Sequence, residues 1–320
     1  MIKKTKLIPV LILTVLFLVT VFTGCKGEKE ADTVDQQKKG PIVVASKIDT
    51  EGALLGNMIL QLLEHHGFET VDQVQFGTTD VIRKAIQAGE IDMYPEYTGN
   101  AAFFHNDADN PVWKNPEEAW QRAAQLDREA HDLIWLASAP ANNTWAIALR
   151  QDLSEKENIL TLEDFSEYVN SGGAIKLACS EEFASRQGAL PSFEEAYGFK
   201  LEKNQLLILS GGNTATTEKA AAEQTDGVNA AMAYGTDGAL AALGLVVLED
   251  NRNVQHVYEP APLVRAEVLE AYPEIREILD PVMKTLGLTE LQTLNSKIAV
   301  MGEAAGNVAK KYLEDNNFIE

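Results

Sequence analysis

The residues of this 320-residue chain best suited to chemistry are aromatic and basic, and they recur at the ends of apolar runs. Lys47 follows IVVAS. Tyr94 and Tyr97 lie in DMYPEYTGN, Trp145 opens WAIAL after ANNT, and Arg186 follows CSEEFAS. Tyr234 closes AMAY, and Tyr258 sits in HVYEPAPLVR. Singly, each has an ordinary reading: a tyrosine at a strand end packs with its hydroxyl wetted, and a lysine after a strand lies at the surface. Their joint placement is the signal, because ring faces attract cations and guanidinium groups grip carboxylates.

Catalytic motifs do not accompany them. The chain has no G-x-S-x-G, no phosphate-binding G-x-x-x-x-G-K and no G-x-G-x-x-G. The five histidines (His65, His66, His105, His131, His256) lack metal-ligand spacing. Asp107 and Asp109 lack the glycine and distal glutamate of a calcium loop. His65 and His66 end a helix and are read as partners of its carbonyls. Gly211 to Thr214 reads as a strand-to-helix turn. Cys179 has no evident base partner and reads as a buried small residue. No metal, cofactor or enzymatic activity is expected.

The elements that must position these residues alternate. Pro41–Ser46 reads as a buried strand. Asp49 or Thr50 caps a helix running to Gly67, with Leu54, Leu55, Met58, Ile59, Leu62 and Leu63 on one face. A strand at Val71–Phe76, a helix from Thr79 or Asp80 to Gly89 and a strand at Ile91–Tyr94 follow. Proline removes a ladder donor, so Pro95 is expected outside a core strand, in a loop at the carboxyl end of the third strand. A helix over 115–131 and strands at 133–137, 145–149, 175–178, 206–209, 231–234 and 245–248 continue the pattern, with helices such as 161–169 and 214–224 between them. After Pro262 the chain reads as mainly helical. The alternation implies parallel-type sheets with helices on both faces, and the length suggests two of them.

The start is not part of the fold. Lys3, Lys4 and Lys6 precede an apolar run, Leu7–Phe22, which ends at Phe22-Thr23-Gly24-Cys25. That is the pattern of a secretory signal peptide over 1–24, with Cys25 placed like the lipidated cysteine of a bacterial lipoprotein. Residues 25–40 are charged and poor in apolar side chains, so they read as a tether. With Cys25 lipidated, Cys179 has no disulfide partner. The net charge of −21 argues against nucleic acid and anionic lipid headgroups as partners.

Several segments together resemble the substrate-binding proteins of ABC transporters for glycine betaine and related osmoprotectants. They are Ser46-Lys47 with Thr50-Glu51, Asp92 to Asn100, Asn142 to Trp145, Glu182 to Arg186, Tyr234 to Gly238 and Ala261 to Arg265. They are collinear and span Pro41 to the C-terminus. The resemblance implies an α/β, two-lobed periplasmic-binding-protein fold of type II with the ligand cleft between the lobes. Lobe one would comprise 41–141 and 257–320, and lobe two 142–256. It also implies an aromatic cage of Tyr97, Trp145, Tyr234 and Tyr258, with Lys47 and Arg186 on the ligand's carboxylate and Asn100 and Asn143 as further contacts. Asn100 stands where the family usually has a threonine, and Trp145 where it usually has a tyrosine. The implied partners are a quaternary ammonium solute, a membrane-embedded permease and, through the lipid, the membrane. The ligand alternatives are choline, carnitine or another trimethylated amino acid. An enzyme on the same scaffold, with Cys179 as attachment point, is the more distant alternative.

Overall fold

The structure, a computed structural model, describes residues 39–211 and 213–320. The signal peptide, Cys25 and residues 26–38 of the tether lie outside the described residues.

Among the described residues, ten strands form two five-stranded sheets. They are β1 (Lys39–Lys47), β2 (Phe68–Gly77), β3 (Met93–Tyr97), β4 (Leu133–Trp135), β5 (Trp145–Arg150), β6 (Leu177–Cys179), β7 (Leu206–Ile208), β8 (Ala230–Tyr234), β9 (Leu245–Val247) and β10 (Pro260–Arg265). The first sheet runs β2-β1-β3-β10-β4 and the second β7-β6-β8-β5-β9. The chain crosses between sheets twice, after Trp135 and after Val247. The two crossing segments are pinned to each other: Asn142 Oδ1 accepts from the Tyr258 amide at 2.8 Å, and the Tyr258 carbonyl accepts from the Asn143 amide at 2.9 Å.

The helix Thr50–His65 forms as its pattern requires. Asp49 caps it by accepting from the Gly52 amide at 2.6 Å, and its apolar face is buried against the first sheet and the C-terminal helices. His66 closes it, with Nδ1 2.8 Å from the Leu62 carbonyl. In the next helix, Thr79–Ala88, Gly89 at φ 73° supplies the left-handed residue that ends it.

Four expectations are corrected. The sheets are mixed, not parallel: β10 runs antiparallel to β3 and β4, and β5 antiparallel to β8 and β9. Each antiparallel strand begins just after a crossing segment, so it enters its sheet from the crossing side. β3 extends through Pro95, which is buried in a central strand. It does so because Pro95 faces Pro262 of β10. The Pro262 carbonyl points the other way, to the Leu136 amide at 2.9 Å, so neither proline is asked to donate across that pair. On its other side β3 pairs with β1 only at Met93. The same prolines concealed β10, which lies within the segment expected to turn helical. Finally, Lys39 and Gly40 belong to β1 rather than to the tether.

Candidate functional site

The carboxyl ends of the parallel strands and the amino ends of the antiparallel ones meet on one side of the two sheets. Lys47 ends β1, Tyr97 ends β3 and Tyr234 ends β8, while Trp145 begins β5 and Tyr258 precedes β10. These five residues, with Asn100 and Asn143, line one pocket. All four rings of the expected cage therefore line the same cavity.

Strand register sets the second-sheet wall. Trp145 and Tyr234 are cross-strand partners, with ring centroids 4.8 Å apart, and Trp145 leans on Phe183 at 5.2 Å. Gly99 makes room for Tyr258, since a Cβ there would meet that ring at 2.8 Å. Burial raises the hydroxyl pKa of Tyr97, Tyr234 and Tyr258, so all three present neutral rings. The Tyr258 hydroxyl is buried without an acceptor.

Behind Tyr97 stands Glu96. Its Oε1 accepts from Lys47 Nζ at 2.6 Å, the Tyr97 amide at 2.7 Å and Asn100 Nδ2 at 2.8 Å, and its Oε2 accepts from the Tyr94 hydroxyl at 2.6 Å. Burial pushes this carboxyl up, but the charge and hydrogen bond of Lys47 and the other donors outweigh it and hold the pKa below the ordinary value. Lys47 Nζ also lies 4.7 Å from the centre of the Tyr97 ring.

Arg186 occupies an adjoining groove rather than the pocket wall itself. Its Nη1 donates to Asn100 Oδ1 at 2.8 Å and pairs with Glu182 at 2.9 Å. Glu182 and Thr78 border both spaces, so groove and pocket are continuous. Asn100 thus links the two basic groups, with its amide nitrogen on Glu96 and its oxygen on Arg186.

Three acids were not among the expected contacts. Asp49 and Glu182 line the pocket, and Glu51 lies buried behind it. Glu51 Oε1 accepts from the Tyr97 hydroxyl at 3.0 Å and Asn143 Nδ2 at 2.9 Å, and Oε2 from Asn295 Nδ2 at 2.8 Å. Burial raises Asp49 and lifts Glu51 to about 7. The side-chain oxygens of Asn143 and Asn295 have no partner, so an amide flip would offer a protonated Glu51 an acceptor. The signal was present: Asp49 is the helix cap and Glu51 belongs to the Ser-Lys-x-x-Thr-Glu stretch. Charge alone, however, does not distinguish a buried acid from an exposed one.

Cys179 is free and buried, and burial pushes its thiol up to about 12, which suits packing rather than reactivity. Among the described residues no group of histidines, cysteines and acids could hold a metal ion. No described helix is long and apolar enough to cross a membrane.

Two α/β sheets joined by two crossing segments, with an aromatic pocket at the strand ends between them, define a type II solute-binding protein. The family model for the substrate-binding domain of ABC-type glycine betaine transport systems matches residues 40–315, and the chain belongs to that family. It is 54% identical over 301 residues to the glycine betaine-binding protein YehZ of Escherichia coli, covering 94% of this chain and 99% of the relative. The structure of apo YehZ from Escherichia coli shares 56% identity, with a TM-score of 0.65 over 87% of this chain and 99% of that one. The crystal structure of a glycine betaine/carnitine/choline ABC transporter protein, at 18% identity, shares the fold with a TM-score of 0.67 over 88% of this chain and 100% of that one. The protein is therefore the substrate-binding component of an ABC-type glycine betaine transport system, a class that works outside the cytoplasm.

Proposed function

We propose that the pocket binds glycine betaine or a close zwitterionic analogue, within the rings of Tyr97, Trp145, Tyr234 and Tyr258. The observation that carries this reading is the convergence of these four rings, from both sheets, on one pocket beside Lys47. A trimethylammonium has no N–H, so hydrogen bonding cannot select it, whereas desolvated ring faces attract it at roughly 0.5–2 kcal/mol each. Arg186 supplies a planar fork for the carboxylate once it turns from Glu182, and the Tyr258 hydroxyl, which lacks an acceptor, supplies a further donor. Lys47, held by Glu96, contributes positive potential. Asn100 orients Arg186, and Asn143 orients Tyr97 through Glu51.

Residues 41–141 with 257–320, and 142–256, act as two lobes that close on the ligand, and the solute is handed to a membrane-embedded permease unchanged, without catalysis. Cys25 carries a lipid that tethers the protein to the membrane. Cys25→Ala is expected to abolish lipid labelling and release the protein while leaving ligand affinity intact. Loss of binding by the folded variant would contradict the tether.

A second reading, a cation without a carboxylate such as choline, draws support from Asp49 and Glu182 in the pocket lining. Calorimetric titration with glycine betaine, choline, unmethylated glycine and a neutral sugar separates these readings. Binding of both quaternary amines but not of glycine or sugar supports the cage. Failure of every quaternary amine at high millimolar concentration removes it.

A further inference from the structure

Phe103 lies in the short helix Asn100–Phe104 that follows β3, yet it packs against hydrophobic clusters of both sheets. Three contacts account for this. The Arg186 guanidinium carbon lies 4.8 Å from the ring centre. His256, on the returning crossing segment, stacks on the ring with centroids 5.4 Å apart and planes 29° apart. Gly188, two residues after Arg186, faces the ring edge so closely that a Cβ there would lie 1.9 Å from Phe103 Cζ.

Gly188 does not have a positive φ, so its backbone conformation is open to other residues. What excludes a side chain is the Phe103 ring. The glycine is a socket, and the ring that fills it comes from the other sheet. Asn100, three residues earlier on the same helix, accepts from Arg186 Nη1 at 2.8 Å. Residues three apart share a helix face. One turn of helix thus offers Arg186 both a hydrogen-bond acceptor and an aromatic surface.

We propose that Phe103, seated in the Gly188 socket, is a positioning residue that latches the two halves of the cleft together. The consequence for affinity rests on the reading of the cleft as a closing ligand site. The latch does not touch the ligand. It changes the population of the closed, binding-competent form, so its loss weakens every ligand of the cleft by the same factor. A direct contact discriminates between ligands, whereas a latch does not.

The test is a double-mutant cycle on the mature protein with Gly188→Ala, Phe103→Ala and both, after thermal unfolding shows that each folds. Small-angle X-ray scattering of the ligand-free variants reads the separation of the lobes. Tryptophan fluorescence titration reads affinity for glycine betaine and choline. Gly188→Ala is expected to increase the radius of gyration and weaken both ligands alike, by about tenfold or more if the closed fraction falls by that factor. In the Phe103→Ala background, Gly188→Ala should add no further loss, because the ring it would strike is gone. Phe103→Leu should fall between wild type and Phe103→Ala. The latch is overturned if Gly188→Ala and Phe103→Ala leave scattering unchanged, or if their losses multiply in the double variant. Should Gly188→Ala not fold, unchanged scattering and affinity in Phe103→Ala are sufficient to overturn it. If wild type binds neither amine, the ligand reading fails, while scattering still decides the latch.

Discussion

Two basic groups stand near the pocket, in opposite circumstances. Lys47 and its partner Glu96 are 7% and 0% exposed, and every donor to Glu96 comes from β1, from β3 or from the residues that follow β3. Arg186 and its partner Glu182 are 13% and 29% exposed, and the bonds of this pair to Asn100 and Thr79 reach across from the second sheet to the first. A buried ion pair with saturated oxygens is fixed scaffolding, because losing a partner strands a charge. A half-open pair whose other bonds reach across a cleft can exchange its partner for a ligand at small cost. One site therefore uses one cation to hold its shape and another to respond.

The sharpest way to break this contrast is to remove the acids. Glu96→Ala leaves Lys47 buried without a counter-charge and is expected to cost about 3–5 kcal/mol of unfolding free energy. Glu182→Ala should cost no more than about 1 kcal/mol. Denaturant unfolding of the two variants compares them directly, and equal costs would dissolve the distinction.

Next comes the responsive cation. Arg186→Ala should weaken glycine betaine by about 2–5 kcal/mol, the usual effect of breaking a buried charge pair at a binding interface, and choline much less. Tyr234→Ala should weaken both, since the ring serves the shared trimethylammonium. Equal losses of the two ligands in Arg186→Ala, measured by calorimetry, would shift the carboxylate role to Lys47.

Glu51 sharpens the scaffold side. Burial lifts its carboxyl from the ordinary 4.5 to about 7, so the folded chain keeps a proton that the unfolded chain releases between those values. The native state is favoured fully below about pH 4.5, and that advantage is lost as pH rises towards 7. The loss is on the order of 3 kcal/mol. Glu51→Gln, which cannot ionise, should flatten the fall in stability across that window by about this much. Unfolding titrations at both ends of the window check it, and a wild-type slope in the variant would show that Glu51 does not titrate there.

Much of this arrangement was legible in the sequence, and the exceptions have physical causes. Apolar periodicity located the helix Thr50–His65 and the strands that carry Lys47, Trp145 and Tyr234. It missed β10 and the end of β3, because proline argues against a central strand when each strand is read alone. Pro95 and Pro262 are tolerable only opposite each other, and that pairing joins segments far apart in the chain. The same limit applies to strand direction, which depends on how the chain re-enters a sheet after crossing. Among the site residues, the four ring positions came from the resemblance of their segments to the family; of them, only Trp145 and Tyr234 open or close an apolar run. The partners of the charged groups were not legible. Nothing local to Asn100 indicates that its amide bridges Glu96 to Arg186, and nothing local to Gly188 indicates that Phe103 fills its place.

The charge of the chain has a kinetic consequence. A molecule with a net charge of −21, whose pocket lining carries Asp49 and Glu182, sets up a negative potential that draws in cations from solution. Choline feels that field as a monopole, whereas glycine betaine, with zero net charge, feels it only as a dipole. An ionic atmosphere shortens the reach of the field to about 10 Å at 0.1 M salt and about 3 Å at 1 M. The association rate of choline should therefore fall as salt is added, while that of glycine betaine stays nearly constant. Stopped-flow fluorescence at low and high salt measures both rates. In a saline medium the protein thus becomes kinetically more selective for the zwitterion without any change in its structure.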